Sequence, residues 1–142
     1  MSATTPPAHR TITDLDHVRI FNLLRRQAAD GNAPAHADEL AELIDNADQV
    51  RPQQIAADIV TMYSRLRVSG ADGSDPRSLT LCYPADADAA RGMISVLSPL
   101  GTALLGLRVG DTARWRGADG KSAELIVQAI EFQPEASGDY TA

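Results

Sequence analysis

At 142 residues, with 44% apolar side chains but only two Phe, three Tyr and one Trp, the chain suits one compact domain, or a small domain with an appendage, whose core is built from Leu, Ile, Val and Ala. A net charge of −6, with basic residues scattered and close groups as small as Arg25-Arg26 and Arg114/Arg116, argues against an extended or sequence-specific nucleic-acid surface, which needs basic residues to displace phosphate counterions. No apolar run approaches the ~18–20 residues of a bilayer span, and the single Cys82 rules out a disulfide framework or a cysteine-based zinc site within one chain.

The first residues, Met1 to Arg10, lack the apolar stretch of a secretory signal and read as a disordered leader running to residue 12. With the cysteine usage, this fits a cytoplasmic protein. Thr13 is placed to cap a helix with Asp16 in its first turn. Val18, Phe21, Leu24 and Ala28 follow at helical spacing, flanked by Leu15 and Ile20. Asp30-Gly31-Asn32-Ala33-Pro34 breaks that helix. Asp38 reads as the cap of a second helix carrying Leu40, Leu43, Ile44 and Ala47. Two amphipathic helices joined by so short a turn fold back antiparallel, so residues 13–50 form a short helical hairpin, a short coiled coil. Helices of about 10–16 residues reach roughly 15–24 Å at 1.5 Å per residue.

Val50 to Ile59, with Pro52, reads as a linker, and beyond it the period changes. Arg65–Ser69 alternates Leu66 and Val68 with polar residues. Ala71 to Pro76 is a dense turn signal, after which Leu79, Leu81 and Tyr83 alternate, with Cys82 a small buried hydrophobe. Pro84–Gly92 is a loop or a single helical turn. A short buried strand with Ile94 and Val96 then runs into a one- to two-turn helix. Ser98 is its N-cap, Pro99 suits the first helical position, Leu100, Ala103 and Leu104 share one side, and Gly106 ends it in the left-handed conformation. Gly110-Asp111 turns into a strand with Ala113 and Trp115, and Gly117 to Gly120 makes a hairpin turn. Ser122–Phe132 is a long strand with Leu125, Val127 and Ala129 on one face and Ile126, Ile130 and Phe132 on the other, as a central strand buried on both sides for part of its length would have. Four to six antiparallel strands curling around one short helix make an α+β domain over residues 51–142. The hairpin's own apolar seam makes that domain an independent unit.

The order strand, Ser-Pro cap, Ala-Leu-Leu-Gly helix and Val-Gly-Asp turn over Ser95–Asp111 resembles the C-terminal domain of the bacterial Gre transcript-cleavage factors. Within that superfamily it is most similar to the Rnk family, named for regulation of nucleoside diphosphate kinase. Val60-Thr61-Met62, Leu81-Cys82-Tyr83-Pro84 with Asp86 and Asp88, and the tail from Gln133 to Tyr140 share in the likeness, which covers most of the chain from about Ile55. The resemblance implies an FKBP-like version of the sheet domain. It also implies a partner: RNA polymerase, gripped at the rim of its secondary channel by residues around the Ser-Pro step. Those positions here are Leu97, Ser98 and Pro99, with Leu100 opening the helix. The cleavage factors commonly carry Asp or Asn where this chain has Leu97, a departure that suits a more apolar contact. Read from the residues alone, Ser98-Pro99 simply starts a helix.

In Gre factors a long coiled coil carries acidic residues into the channel to help hold a catalytic Mg²⁺. This hairpin is shorter, and its tip offers Asp30, with Asp38 and Glu39 at the start of the second helix, residue types that also form turns and cap helices. His9, His17 and His36 sit beside no carboxylate pair at metal-ligand spacing, and there is no phosphate loop, nucleophile elbow or Ser/His/Asp set. The expectation is therefore a monomeric, non-enzymatic regulator with no cofactor, metal or catalytic residue. It would dock on polymerase and compete with Gre factors without stimulating transcript cleavage. The alternative is a regulator that binds a metabolic enzyme such as nucleoside diphosphate kinase and so alters nucleotide pools; the family name does not make the chain a kinase.

Overall fold

The Thr13 hydroxyl accepts from the Asp16 N–H at 3.0 Å and so opens helix α1 (Asp14–Ala29), as the sequence predicts. The computed structural model describes residues 10–31, 37–70, 72–116 and 120–140. Helix α2 (Ala37–Asn46) packs against α1, and His17 Nε2 lies 3.3 Å from Asp45 Oδ1 between them. Asp38 lies inside the first turn of α2 instead of capping it. The Asn32-Ala33-Pro34 breaker and the bend of 32–36 fall outside the described residues.

The inward face of α1 is displaced from the predicted stripe. Val18 and Phe21 are exposed (46% and 42%), while Asp16 and Ile20 are buried and Leu23 and Leu24 pack against the core. A carboxylate occupies one inward position, so the apolar pattern skips it and points to the neighbouring face.

Residues 10–12, expected in a disordered leader, belong to the fold; residues 1–9 lie outside the described residues. Strand β1 (Thr11–Thr13) pairs in parallel with β2 (Asp48–Val50), Ile12 against Gln49, so the two ends of the hairpin are joined at its base. The expected linker carries a tight turn at Pro52–Gln54 and a second turn closed by the Ile59 N–H on the Ala56 carbonyl, with Ile55 and Ile59 buried.

The main sheet holds β3 (Arg65–Ser69), β4 (Arg77–Cys82), β5 (Met93–Ser95), β6 (Thr112–Arg116) and β7 (Ser122–Phe132) in the order β5-β4-β3-β7-β6. Neighbours are antiparallel except β4 and β5, which run parallel. Helix α3 (Pro99–Leu104) packs against β5 and β6. The result is the expected α+β class, with one parallel pair in the sheet. Residues 117–119, the heart of the predicted hairpin turn, lie outside the described residues.

Strand β3 holds the middle of the sheet and β7 lies inside it between β3 and β6, with Leu125 and Val127 buried on one face, Ile126 half-buried on the other, and its last two residues exposed. Val68 pairs with Val127 and Arg67 with Ala129, so Gln128 is an extra residue on β7; Glu131 is a second, between the Leu66–Ile130 and Arg65–Phe132 pairs. Each bulge shifts the alternation by one. Leu125 and Val127 point to the core before the first bulge and Ile130 packs on it after, while Phe132 stays 44% exposed. The bulges thus explain how Ile130 joins the same core as Leu125 and Val127, while Ile126, before either bulge, is half-buried on the opposite face. One continuous cluster holds Ile12, Ile20, Leu40 and Ile44 of the helical part together with Met62, Leu66, Leu81, Leu104 and Val127 of the sheet part.

Candidate functional site

The step between β5 and α3 is knotted by its own hydroxyls. The Ser95 carbonyl accepts from the Ser98 N–H at 3.0 Å and from its hydroxyl at 2.7 Å, while Ser95 Oγ accepts from the Leu97 N–H. Ser98 Oγ accepts in turn from the Gly101 N–H at 3.0 Å, the expected cap, with Pro99 first in the helix. Thr102 Oγ1 donates to the Val96 carbonyl at 2.8 Å, tying the helix back to the strand. Gly101 permits this closeness: a Cβ there would stand 1.9 Å from the Ser95 carbonyl oxygen and 2.9 Å from the Val96 Cα.

The far end of α3 is closed by a residue the sequence reading left in the leader. The Arg10 guanidinium donates to the carbonyls of Thr102, Ala103 and Leu105 at 3.3, 2.9 and 2.7 Å. These are groups a helix C-terminus leaves unpaired, and a cation suits that end. Burial pulls the Arg10 pKa down, and the nearby Asp111 charge works against that pull. Gly106 takes φ +79° as predicted, and a Cβ there would press within 3.0–3.3 Å of Thr11, Arg10 and Ile12. The glycine thus ends the helix and lets β1 pass.

Of the predicted contact residues, Pro99 is exposed, and Leu97, Ser98 and Leu100 are half-buried. Leu97 and Leu100 lean on the core with the rest of their surface. The four form one contiguous, rigid, largely apolar step with no ionisable side chain, suited to contact and not to proton or group transfer. The predicted tip residues Asp30, Asp38 and Glu39 are all exposed, Asp30 closing α1 and the other two in the first turn of α2. Among the described residues no three His, Cys, Asp or Glu side chains gather as a metal site. No helix among them is long and apolar enough to cross a membrane.

Sequence reasoning missed the junction under the hairpin. Asp16 Oδ2 accepts from the Met62 N–H at 3.2 Å, and the Thr61 hydroxyl donates to Glu135 Oε1 at 2.7 Å. Burial raises the pKa of both carboxyls. Next to them Tyr63 adopts φ +65°, unusual for an aromatic residue, and its ring tilts against Tyr83 at 5.8 Å. Burial and the hydrogen bond to Asp86 push the Tyr63 phenol up to about 12. Gln133 Nε2 donates to the Ala56 and Ile59 carbonyls, both at 2.8 Å, and so anchors the tail. The signals available were the segments Val60-Thr61-Met62, Leu81–Pro84 with Asp86, and the tail from Gln133, which the family likeness singled out without joining them, and Asp16, four residues before Ile20 and thus on its face.

A curled sheet flanked by one short helix with a Ser-Pro cap, behind a pair of helices, is the architecture of Gre-type transcription factors. The chain belongs to the transcription elongation factor GreA/GreB C-terminal family, whose model matches residues 55–132. Over 129 residues it is 41% identical to the regulator of nucleoside diphosphate kinase of Escherichia coli K12, covering 91% of this chain and 93% of that one. It is 31% identical over 85 residues to the transcription elongation factor GreA of Christiangramia forsetii, 60% of this chain and 54% of the relative. Among solved structures, the GreA/GreB transcription elongation factor of Nitrosomonas europaea matches with a TM-score of 0.73 and 32% identity over 87% of this chain and 99% of that one.

Proposed function

We propose that this chain is a non-enzymatic regulator of transcription that binds RNA polymerase at the rim of the secondary channel, through Leu97, Ser98, Pro99 and Leu100. The observation that carries this is the joining of a Gre-family domain to a short hairpin, 16 and 10 residues per helix, or about 24 and 15 Å. A hairpin of that length occupies the mouth of a channel but does not deliver Asp30, Asp38 or Glu39 to within ~2–2.1 Å of a distant Mg²⁺. The protein therefore competes with Gre factors and leaves transcript cleavage unstimulated. The FKBP-like description of the sheet domain, the monomeric state and the cytoplasmic location belong to the same reading.

A pull-down from lysate separates this from its rival. Polymerase subunits support it, and nucleoside diphosphate kinase alone supports the alternative that the name of the Escherichia coli relative favours. Backtracked elongation complexes given the protein should release 3′ fragments no faster than controls, and acceleration lost in Asp30→Ala would overturn the reading. Leu97→Asp should weaken polymerase binding by ~2 kcal/mol or more, as at an interface anchor. Because Leu97 is half-buried, the variant is first checked for a native melt. Unchanged binding by the folded variant would move the interface elsewhere.

A further inference from the structure

Asp16 is 1% exposed, one turn into α1, where Ile20 enters the core. Its carboxylate takes the Met62 N–H from the sheet side and a hydrogen bond from the Thr13 side chain, whose hydroxyl also receives the Asp16 N–H. From the C-terminal turn Glu135, 8% exposed, lies within electrostatic reach, held by Thr61, whose hydroxyl also meets that of Ser64 at 2.9 Å. From α1 itself Arg19 attracts the carboxylate, and after β4 the Tyr83 phenol feels its charge. A carboxyl so enclosed, beside a second one, is costly to ionise. The Met62 bond joins the hairpin to the sheet across 46 residues of chain, so that cost falls at the seam between the two parts.

We propose that Asp16 is a proton-controlled latch that seats the helical hairpin on the sheet domain: protonated, it holds α1 against the 61–64 loop, and ionised beside Glu135 it loosens that seat. Burial is the main force lifting Asp16 from 3.8 to about 7, with the Glu135 charge adding and the Met62 N–H, Thr13 and Arg19 opposing. The folded state thus holds this proton more tightly than the unfolded chain. The latch is fully engaged below about pH 4 and is lost as pH rises through 7, by up to about tenfold in the seated population per pH unit.

Two measurements on the full chain, with no polymerase present, test this independently of the function proposed above. Carboxyl ¹³C NMR should show Asp16 titrating near pH 7, and a midpoint near 4 would overturn the latch. Amide hydrogen exchange at pH 5 and pH 8, corrected for intrinsic rates, should show α1 and α2 losing at least about tenfold in protection relative to β3 and β4. Asp16→Asn should abolish that difference. Equal loss in helices and sheet, or the same pH dependence in the Asn variant, would also overturn it. The carboxyl titration needs no variant, so a misfolding substitution leaves the test standing.

Discussion

Around α3, Ser95, Val96, Ser98, Gly101 and Thr102 satisfy one another within a single short stretch of chain. The helical hairpin is held from far away: Asp16 by Met62, β1 by β2, and Ile20, Leu40 and Ile44 by side chains of the sheet. The first arrangement makes a surface whose shape is set locally. The second makes an element whose attitude depends on the closed core. Under the function proposed above, the docking surface is the part whose shape is set locally, and the obstructing element is the part set by the shared core.

The comparison breaks most directly if the hairpin proves dispensable. A 51–142 fragment lacks Ile12, Ile20, Leu40 and Ile44, each at most 1% exposed and all in the cluster that covers Met62, Leu66 and Leu81. Truncating one such side chain to Ala costs about 2–5 kcal/mol. Losing four approaches or exceeds the ~5–15 kcal/mol that holds a whole domain. The fragment should show no cooperative melt by circular dichroism. A sharp transition would mean that the sheet closes its own core and that residue 50 is a true boundary.

The next largest effect tests the local side. Gly101→Ala puts a methyl where the Ser95 carbonyl oxygen already lies, and neither atom set is a flexible side-chain end. The strand and α3 must part, at about 3 kcal/mol or more, the upper range for overpacking. The better helix propensity of Ala returns about 1 kcal/mol at most. Urea denaturation measures the net loss; a variant as stable as wild type would show that the corner yields easily.

What was legible in the sequence follows the same divide. The Ser98 cap, Pro99 at the first turn, the left-handed Gly106, the Thr13 cap and the β3 alternation all rest on neighbours in the chain, and all appear where their residue types require them. The β1–β2 pairing did not appear, because Thr11–Thr13 and Asp48–Val50 are three-residue strands that have no pattern until they meet. The exposure of Phe21 followed from a buried Asp16, which apolar periodicity cannot anticipate. The bulges at Gln128 and Glu131, which bring Ile130 onto the face of Leu125 and Val127, were not legible, since register is a property of the pair and not of one strand. For the candidate site, Leu97 to Leu100 came from the family likeness and the Ser-Pro cap, while Arg10, which closes the far end of α3 at Ala103 from 93 residues away, leaves no local signal.

The smallest expected effect sharpens the comparison by asking whether the two regions communicate. Ser98→Ala removes a cap but leaves the Ser95 carbonyl its bond from the Ser98 N–H, so the loss should be about 1 kcal/mol. Thr13→Ala removes the other cap at a buried site and should cost about 1–2 kcal/mol. If local and long-range fixing are separate, the double variant should lose the sum to within about 0.5 kcal/mol. The strongest polar route between them is Arg10, three residues before Thr13, which donates to the last carbonyls of α3 beside the Thr11 N–H bond to the Gly106 carbonyl at 3.3 Å. A coupling energy above 0.5 kcal/mol would show that strain at one end reaches the other through that guanidinium. Arg10→Ala should then shrink that coupling, because without those three bonds the polar contact left between the Thr13 segment and the end of α3 is the longer Thr11 N–H bond to the Gly106 carbonyl.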